Sequence, residues 1–443
     1  MQIPQNITYI LDRLEQAGYE AYIVGGCVRD SLMGAQPHDF DITTSALPEE
    51  TERVFADLRV IETGLKHGTV TVLYEGEPIE ITTYRIDGEY ADGRHPDEVR
   101  FTRSLAEDVA RRDFTMNGIA YSPKRGLFDH FDGAEDIRRG IIRCIGDPDK
   151  RFGEDALRIM RALRFSSVLG FGIEQATADS LRRNKALLHR VSAERIFTEL
   201  SKLLCGRNAG AVLREYAEIF AEIIPELAPC IGYEQHSRYH AYPLYEHIVR
   251  AVENCPPDVG IRLAMLFHDI GKPLTQSADE SGEWHFYGHA EKSAELAEEI
   301  MRRFKTSNAL RERVCAIIRY HGFVPEKTER FIRRRLAKHG SELFRDIMLA
   351  HIADDSAKAE FTKERISEWR EIIRMAEEIS QRQPCLSPKE LAVGGRDIMQ
   401  LIPASPRIGE TLKYLLDGVV DGRFENRRDV LMKQAELFLK IDK

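Results

Sequence analysis

The sequence predicts an α+β protein: a small mixed sheet with helices against it at the front, then a long all-helical body. Three observations predict it. Short alternating segments rich in Ile, Val and Thr occur before about residue 135. Beyond Asp136 apolar residues recur at three- and four-residue spacing and the strand pattern stops. At 443 residues the chain exceeds one ordinary core, so two to four domains are expected.

Ile7, Ile10, Leu11 and Leu14 have helical spacing, and Gly18 suits a C-terminal stop. "EAYIVGG" reads as a buried strand running into a glycine turn. "DFDITTS" alternates as a strand, and "GTVTVLYEG" with "PIEITTYRI" flanks Gly76 as a hairpin. "EDALRIMRALRFSSVLGF", "SAERIFTELSKLL" and "AGAVLREYAEIFAEII" read as helices, and Pro225, Pro229 and Gly232 break the run. A histidine-rich helical region follows over roughly 235–375, then the linker "SQRQPCLSPKE" and a last helical segment. The expected domains are 1–135, 136–228, 229–375 and 376–443.

Hydrophobic residues make up 43% and charged residues 30%, a globular rather than a disordered composition. No apolar run reaches the ~18 residues of a membrane span. The N-terminus is amphipathic and acidic with no basic-then-apolar leader, which argues against secretion. Seven scattered cysteines with no CxxC pair fit a reducing, cytoplasmic setting better than a disulfide scaffold or zinc finger. The net charge of −9 is segregated: Arg138 to Arg190 holds twelve Lys/Arg against six Asp/Glu, and "RFIRRRLAKHG" spans Arg330 to Gly340. Such clusters are compatible with a phosphate backbone and equally with solvated helix faces.

The chemistry is densest in "YIVGGCVRDSLMGAQPHDFDITTS", Tyr22 to Ser45. Residues two apart on a strand share a face, so Asp39 and Asp41 are expected to face one space. Hard oxygen ligands suit Mg2+, and two such ions can activate a hydroxyl and steady a leaving phosphate. Gly25-Gly26 stands where a strand gives way to a helix, a place where backbone amides approach phosphates. Glu80 in "IEITTYR" is the candidate third carboxylate, or an ordinary exposed strand residue.

"GGCVRD…DFD" resembles the active-site signature of class II tRNA nucleotidyltransferases, whose head domain is shared with bacterial poly(A) polymerases. The likeness continues in order through "RRDFTMNGIAY" (Arg111–Tyr121), "DHFDGAEDI", "RFGEDALRIMRALRFSSVLGF" (Arg151–Phe171) and "SAERIFTEL". "TTYRIDGEYADGRHPDEVRF", Thr82 to Phe101, resembles the family's flexible loop. The resemblance implies a polymerase-β-like nucleotidyltransferase head, a helical neck that selects the nucleotide, and a tail that grips tRNA. It implies Asp39 and Asp41 as catalytic metal ligands, and Gly25, Gly26, Arg29, Asp113 and Asn117 at the nucleotide. Tail residues with suitable charge are Arg396, Arg407, Lys413, Arg427 and Arg428.

Base choice can be argued from chemistry. In "EDALR", Asp155 and Arg158 stand three apart on an expected helix and so share a face. A carboxylate accepts from an exocyclic amine, and a guanidinium donates to a bare ring nitrogen. Cytosine and adenine offer both groups; uracil and guanine offer a carbonyl and a ring N–H instead. Each contact contributes ~1–3 kcal/mol of discrimination, and an unpaired buried polar group sharpens refusal. Arg111, Arg161 and Arg164 have the charge and donor geometry for triphosphate oxygens.

In the back half "RLAMLFHDIGKP" carries His268-Asp269, with His247, His289, His321 and Asp354 around it. This succession resembles the HD superfamily of metal-dependent phosphohydrolases. Imidazole with carboxylate suits Mn, Fe, Ni or Zn more than Ca, so a second divalent metal such as Mn2+ or Ni2+ is expected. His240 and His285 lie near as core or substrate residues, and a helical domain with a vestigial site is the alternative. The leading expectation is a CCA-adding enzyme acting on tRNA with ATP and CTP, with no membrane partner. An A-adding-only enzyme, a poly(A) polymerase, and an HD-type hydrolase with a binding-only head remain alternatives.

Overall fold

The computed structural model describes residues 1–443 except 38, 65–67, 89–98, 281, 383 and 442–443. Residues 89–98 belong to the loop expected at Thr82–Phe101 and lie outside the described residues. The chain divides into two compact units, 1–225 and 226–443.

The first unit opens with the helix Gln5–Gln16, which buries Ile7, Ile10, Leu11 and Leu14 as their spacing predicts. Its strands are β1 Ala21–Val24, β2 Asp41–Thr44, β3 Arg59–Gly64, β4 Thr69–Tyr74, β5 Glu77–Thr83, β6 Arg85–Asp87, β7 Val99–Phe101, β8 Ile119–Ser122 and β9 Gly126–Asp129. Seven form one sheet in the order β3-β4-β5-β2-β1-β8-β9, and β6 pairs with β7 alone. β2 runs parallel to β5 while the other neighbours are antiparallel, so the sheet is mixed. The β4–β5 hairpin turns on Glu75 and Gly76 at φ 53° and 86°, the positive φ pair that matches a tight turn to strand twist.

Alternation over "DFDITTS" places Asp39 and Asp41 on one strand, but β2 begins at Asp41. Asp41 registers with Val24, the last residue of β1, and Gly25 then turns the chain away at φ 81°. Phe40 and Asp39 therefore have no ladder partner on that side.

Helices follow at Pro148–Glu154, Leu157–Leu169, Gln175–Asn184, Ala193–Leu204, Ala209–Glu215 and Ala217–Ile223. Asp147 starts the first of them, its side chain accepting from Asp149 N with Pro148 at the first helical position. The strand signal does not stop entirely at Asp136: Ile141–Ile142 and Gly172–Ile173 form a short parallel pair.

The second unit is helical, with two two-residue strands, Ser277–Ala278 and Trp284–His285. The helix Val259–Phe267 is buried from Gly260 to its end and stands in the interior. Ile332, Leu336, Phe344, Met348, Trp369 and Ile372 form one core cluster. Val393, Ile398, Leu415 and Leu431 belong to another. The basic run at Arg330–Gly340 is engaged internally. Arg330 and Arg334 pair with Asp421, Arg333 donates to the Val419 carbonyl, and Arg335 lies over Phe323 and Phe331. Among the described residues no helix is long and apolar enough to cross a membrane.

Candidate functional site

β1 ends at Val24, and the backbone of Gly25 after it (φ 81°, ψ −132°) is open to glycine and strained for other residues. A Cβ there would lie 3.3 Å from Arg112 Nη1, so the glycine also admits that guanidinium. The helix Gly26–Leu32 follows and carries Arg29. Arg29 donates to Asp30 Oδ1 through Nε (2.9 Å) and Nη2 (2.7 Å), and to Asn117 Oδ1 through Nη1 (2.8 Å). Asn117 Nδ2 donates to Asp113 Oδ1 at 2.9 Å, and Arg161 Nε to Asp113 Oδ2 at 2.8 Å. Burial pushes the Asp113 carboxyl up, but the Arg161 charge and the hydrogen bonds from Asn117 and Arg161 outweigh it and hold it at about 2. One continuous network thus links Arg29, Asn117, Asp113 and Arg161.

Phe165, on the helix Leu157–Leu169, is the hub of the arginines. The guanidinium carbons of Arg164, Arg29 and Arg161 lie 3.8, 5.0 and 5.5 Å from its ring centroid. Arg164 Nε also donates to Glu199 Oε2. Arg111 and Arg112 are anchored from behind by Asp108, whose buried carboxylate lies 3.0 and 3.4 Å from their Nη2 nitrogens.

Asp155 and Arg158 do not share a helix. One helix ends at Glu154 and the next starts at Leu157, and Asp155 stands between them in extended backbone (φ −140°, ψ 103°). Its side chain explains the break, because Oδ1 accepts from Leu157 N at 3.0 Å and so starts the new helix. Its Oδ2 accepts from Arg195 Nη2 at 2.8 Å. Arg158 donates to Glu154 Oε2 (2.7 Å), the Arg151 carbonyl (3.0 Å) and the Arg111 carbonyl (2.9 Å). The two expected base readers are each fixed by other partners, yet both line a cavity of about 740 Å³. Gly25, Gly26, Arg29, Arg111, Asp113, Asn117, Arg161 and Arg164 line it too, with Asp39 and Asp41.

Asp39 and Asp41 also line a second cavity, of about 980 Å³, and Glu80 faces that one. Glu80 is exposed on β5, one residue before the registered pair Ile42↔Ile81, and so neighbours Asp41 across the parallel strands. Desolvation pushes the Asp41 carboxyl up, Arg112 opposes this and Asp39 adds to it. Crowded carboxylates of this kind fit a divalent cation, which would relieve their mutual repulsion.

The histidines of the second unit converge. His247 is on the helix Leu244–Asn254, His268 and Asp269 follow Val259–Phe267, and His289 opens His289–Arg303. His321 ends Asn308–Tyr320, and Asp354 is on Glu329–Ser356. Each imidazole Nδ1 meets a backbone carbonyl: His247 with Ala357 (3.2 Å), His268 with Met265 (2.8 Å), His289 with Phe286 (2.7 Å) and His321 with Ile318 (2.6 Å). The Nε2 atoms consequently turn inward as acceptors. Asp269 Oδ1 and Asp354 Oδ1 are buried there with no hydrogen-bond partner. Lys272 Nζ is 2.6 Å from Asp269 Oδ2, and Lys358 Nζ is 2.6 Å from Asp354 Oδ2. His240 approaches Lys272 (3.3 Å), and burial with that charge pushes its imidazole down to about 2. His285 pairs with Asp279 instead, at 2.9 Å. Asp269, His289, His321, Asp354 and buried His351 line a cavity of about 330 Å³.

Residues 21–143 match the family model described as "Poly A polymerase head domain". Residues 170–231 match "Probable RNA and SrmB- binding site of polymerase A", and 276–435 match a tRNA nucleotidyltransferase domain 2. The CCA-adding enzyme of Lactobacillus helveticus is 35% identical over 431 residues, covering 96% of this chain and 95% of that protein. The chain belongs to the CCA-adding enzyme family. The solved CCA-adding enzyme of Bacillus stearothermophilus in complex with CTP is 31% identical with a TM-score of 0.74, covering 100% of this chain and 99% of that one. The Thermotoga maritima CCA-adding enzyme complexed with tRNA shares the fold at 19% identity and a TM-score of 0.60, covering 99% and 96%. Nucleotidyltransferases of this family use divalent metals, generally Mg2+.

Sequence reasoning missed Asp108, Arg112, Phe165 and Arg195. Asp108 could have been found, since it stands three and four residues before Arg111 and Arg112 on one helix face. Arg195 carried no such signal, because its partner Asp155 is forty residues away, whereas Phe165 stands four residues after Arg161 on one helix and could have been found from that spacing.

Proposed function

We propose that the chain joins CMP and AMP, taken from CTP and ATP, to the 3′ end of tRNA with no nucleic-acid template. One observation carries this reading: the Asp39/Asp41 pair, the arginines on Phe165, and Asp155 with Arg158 line a single cavity. The tRNA 3′-hydroxyl attacks the α-phosphorus, the bond to the bridging oxygen breaks, and pyrophosphate leaves. Mg2+ held by Asp39 and Asp41, with Glu80 as third carboxylate, would supply charge neutralisation and activate the hydroxyl. The chain's own side chains do the rest. Arg29, Arg111, Arg161 and Arg164 with the Gly25-Gly26 amides hold the phosphates, and Asp113 with Asn117 fixes two of those arginines. Asp155 accepts from the exocyclic amine and Arg158 donates to the bare ring nitrogen, which admits C and A and refuses U and G.

This reading assigns 1–135 to catalysis, 136–228 to nucleotide selection, 229–375 to an HD domain and 376–443 to tRNA binding, in a cytoplasmic enzyme. The test uses tRNA ending at the discriminator base, at C and at CC, given CTP and ATP separately and together. Extension of all three to CCA is expected. Addition of A only to the CC form would mean an A-adding-only enzyme, and long A tails a poly(A) polymerase; either result sinks the full reading.

The histidine cluster supports a second activity. His247, His268, Asp269, His289, His321 and Asp354 would hold a divalent metal such as Mn2+ or Ni2+, and the two orphaned carboxylate oxygens support this. A metal there would supply activated water for phosphoester cleavage. Phosphoester hydrolysis should be lost in Asp269→Ala and kept in Asp41→Ala, and nucleotide transfer should show the reverse.

A further inference from the structure

We infer that Asp108 is a positioning residue for the triphosphate, holding Arg111 and Arg112 in place against the strand that carries Asp41. Affinity for the phosphate tail, and not for the base, then depends on it. The inference rests on the reading of the cavity of about 740 Å³ as a nucleotide site. It goes beyond that reading by giving a task to a side chain behind the cavity wall.

Asp108 lies in the helix Leu105–Ala110, which Ser104 caps by accepting from Glu107 N. Its side chain is fully buried, and four residues donate to it. Oδ1 accepts from Arg111 Nε at 3.0 Å and from the backbone N–H of Arg85 at 3.3 Å. Oδ2 accepts from Thr43 Oγ1 at 3.3 Å and from Arg112 Nη2 at 3.4 Å. Thr43 stands two residues after Asp41 on β2, so the two share a face of that strand. Arg85 opens β6. One carboxylate thus joins the strand of Asp41, the start of the β6–β7 ribbon and two consecutive arginines.

Neighbouring guanidiniums repel, and an anion between them offsets that repulsion most where water is excluded. Asp108 is such an anion. Burial pushes its carboxyl up, but the charges of Arg111 and Arg112 with the bonds from Arg111 and Arg85 outweigh this and hold it below the ordinary aspartate value. A carboxylate so deep is costly without partners, and each oxygen here meets two of the donors. Both arginines line the cavity, and Arg112 also reaches the Gly25 turn, where a Cβ would lie 3.3 Å from its Nη1. The base-reading side chains rest on other partners. Asp155 is held by Leu157 N and Arg195, and Arg158 by Glu154 and the carbonyls of Arg151 and Arg111. Loss of the Asp108 charge therefore frees two phosphate-side cations and leaves the base contacts standing.

The test measures CTP binding to the full chain in Mg2+ by calorimetry, with CMP read by displacement of CTP. The parent should prefer CTP, and Asp108→Asn should cut that preference about tenfold by weakening CTP alone, the size expected for a lost charged hydrogen bond. Choice of CTP over UTP in single-nucleotide incorporation should change by less than about twofold. Asp108→Asn combined with Arg111→Ala should cost less than the two losses multiplied, because both act on one group. Equal weakening of CTP and CMP, fully multiplicative losses, or tighter CTP binding would each reduce Asp108 to a support of the fold and overturn the inference. A parent that binds no CTP would instead overturn the nucleotide-site reading on which it rests. If Asp108→Asn does not fold, Thr43→Val decides, since it removes one bond to Asp108 and keeps the charge. CTP should then weaken about two- to threefold with CMP unchanged, and unchanged CTP binding would overturn the inference.

Discussion

Arg195 donates to Asp155 Oδ2 at 2.8 Å across forty residues of sequence, and this bond ties the expected base-reading carboxylate to the helix Ala193–Leu204. With Oδ1 held by Leu157 N, both carboxylate oxygens have a fixed direction before any nucleotide arrives.

Arg195→Ala is expected to loosen base choice more than chemistry. Asp155 would keep its bond to Leu157 N but gain freedom to turn. Discrimination against UTP and GTP should fall about tenfold, equal to ~1.4 kcal/mol and inside the range for one base contact. Single-nucleotide incorporation with each of the four triphosphates measures it. Unchanged selectivity would mean that Arg195 merely supports the fold.

Phe165 gathers three guanidiniums around one ring, which offsets part of their mutual repulsion beside the cavity. Phe165→Leu is expected to raise KM for CTP and ATP together, by about tenfold. The value of kcat should change little, and Phe165→Tyr should restore KM. Steady-state kinetics beside a thermal melt separates this from plain loss of packing, which Tyr and Leu would affect differently.

Some of these relationships were legible in the sequence and others were not, for physical reasons. The Gln5–Gln16 helix and the β4–β5 hairpin followed from local periodicity and one turn, and the structure has both. The histidine succession was read as one cluster, and its Nε2 atoms do converge. Helical spacing misled at Asp155, since its own side chain starts a second helix; Gly153 followed by Asp155 is a stop-then-start signal that could have been read. Alternation misled at Asp39 because the strand's length is set by Gly25 on its neighbour. Arg195 acts through a contact with Asp155 that only the folded chain creates.

Gly25→Ala tests the turn at the head of the cavity. The φ of 81° with ψ of −132° costs a non-glycine residue ~1–3 kcal/mol, and the new methyl would meet Arg112 Nη1 at 3.3 Å. Arg112 is the charge that opposes the upward push on Asp41. The variant should lose tenfold or more in kcat/KM while its melting temperature falls by only a few degrees. A variant with full activity would remove the glycine turn from the proposed phosphate site.

Asp113 gives a pH dependence whose sign can be worked out. Its carboxyl is held at about 2 in the folded chain, below the ordinary aspartate value of 3.8. A depressed carboxyl contributes stability that is fully present above its unfolded value and is lost as pH falls toward the folded one. The difference corresponds to about 2 kcal/mol, present at neutral pH and shrinking between about pH 4 and pH 2. Asp113→Asn removes that charge and leaves the partly buried Arg161 guanidinium facing an amide. Denaturant unfolding of the first unit should show the variant destabilised by about that amount at pH 7, with the gap to the parent narrowing as pH drops to 3. A gap that is constant across this range would show that Asp113 acts by shape and hydrogen bonding, with no contribution from its charge.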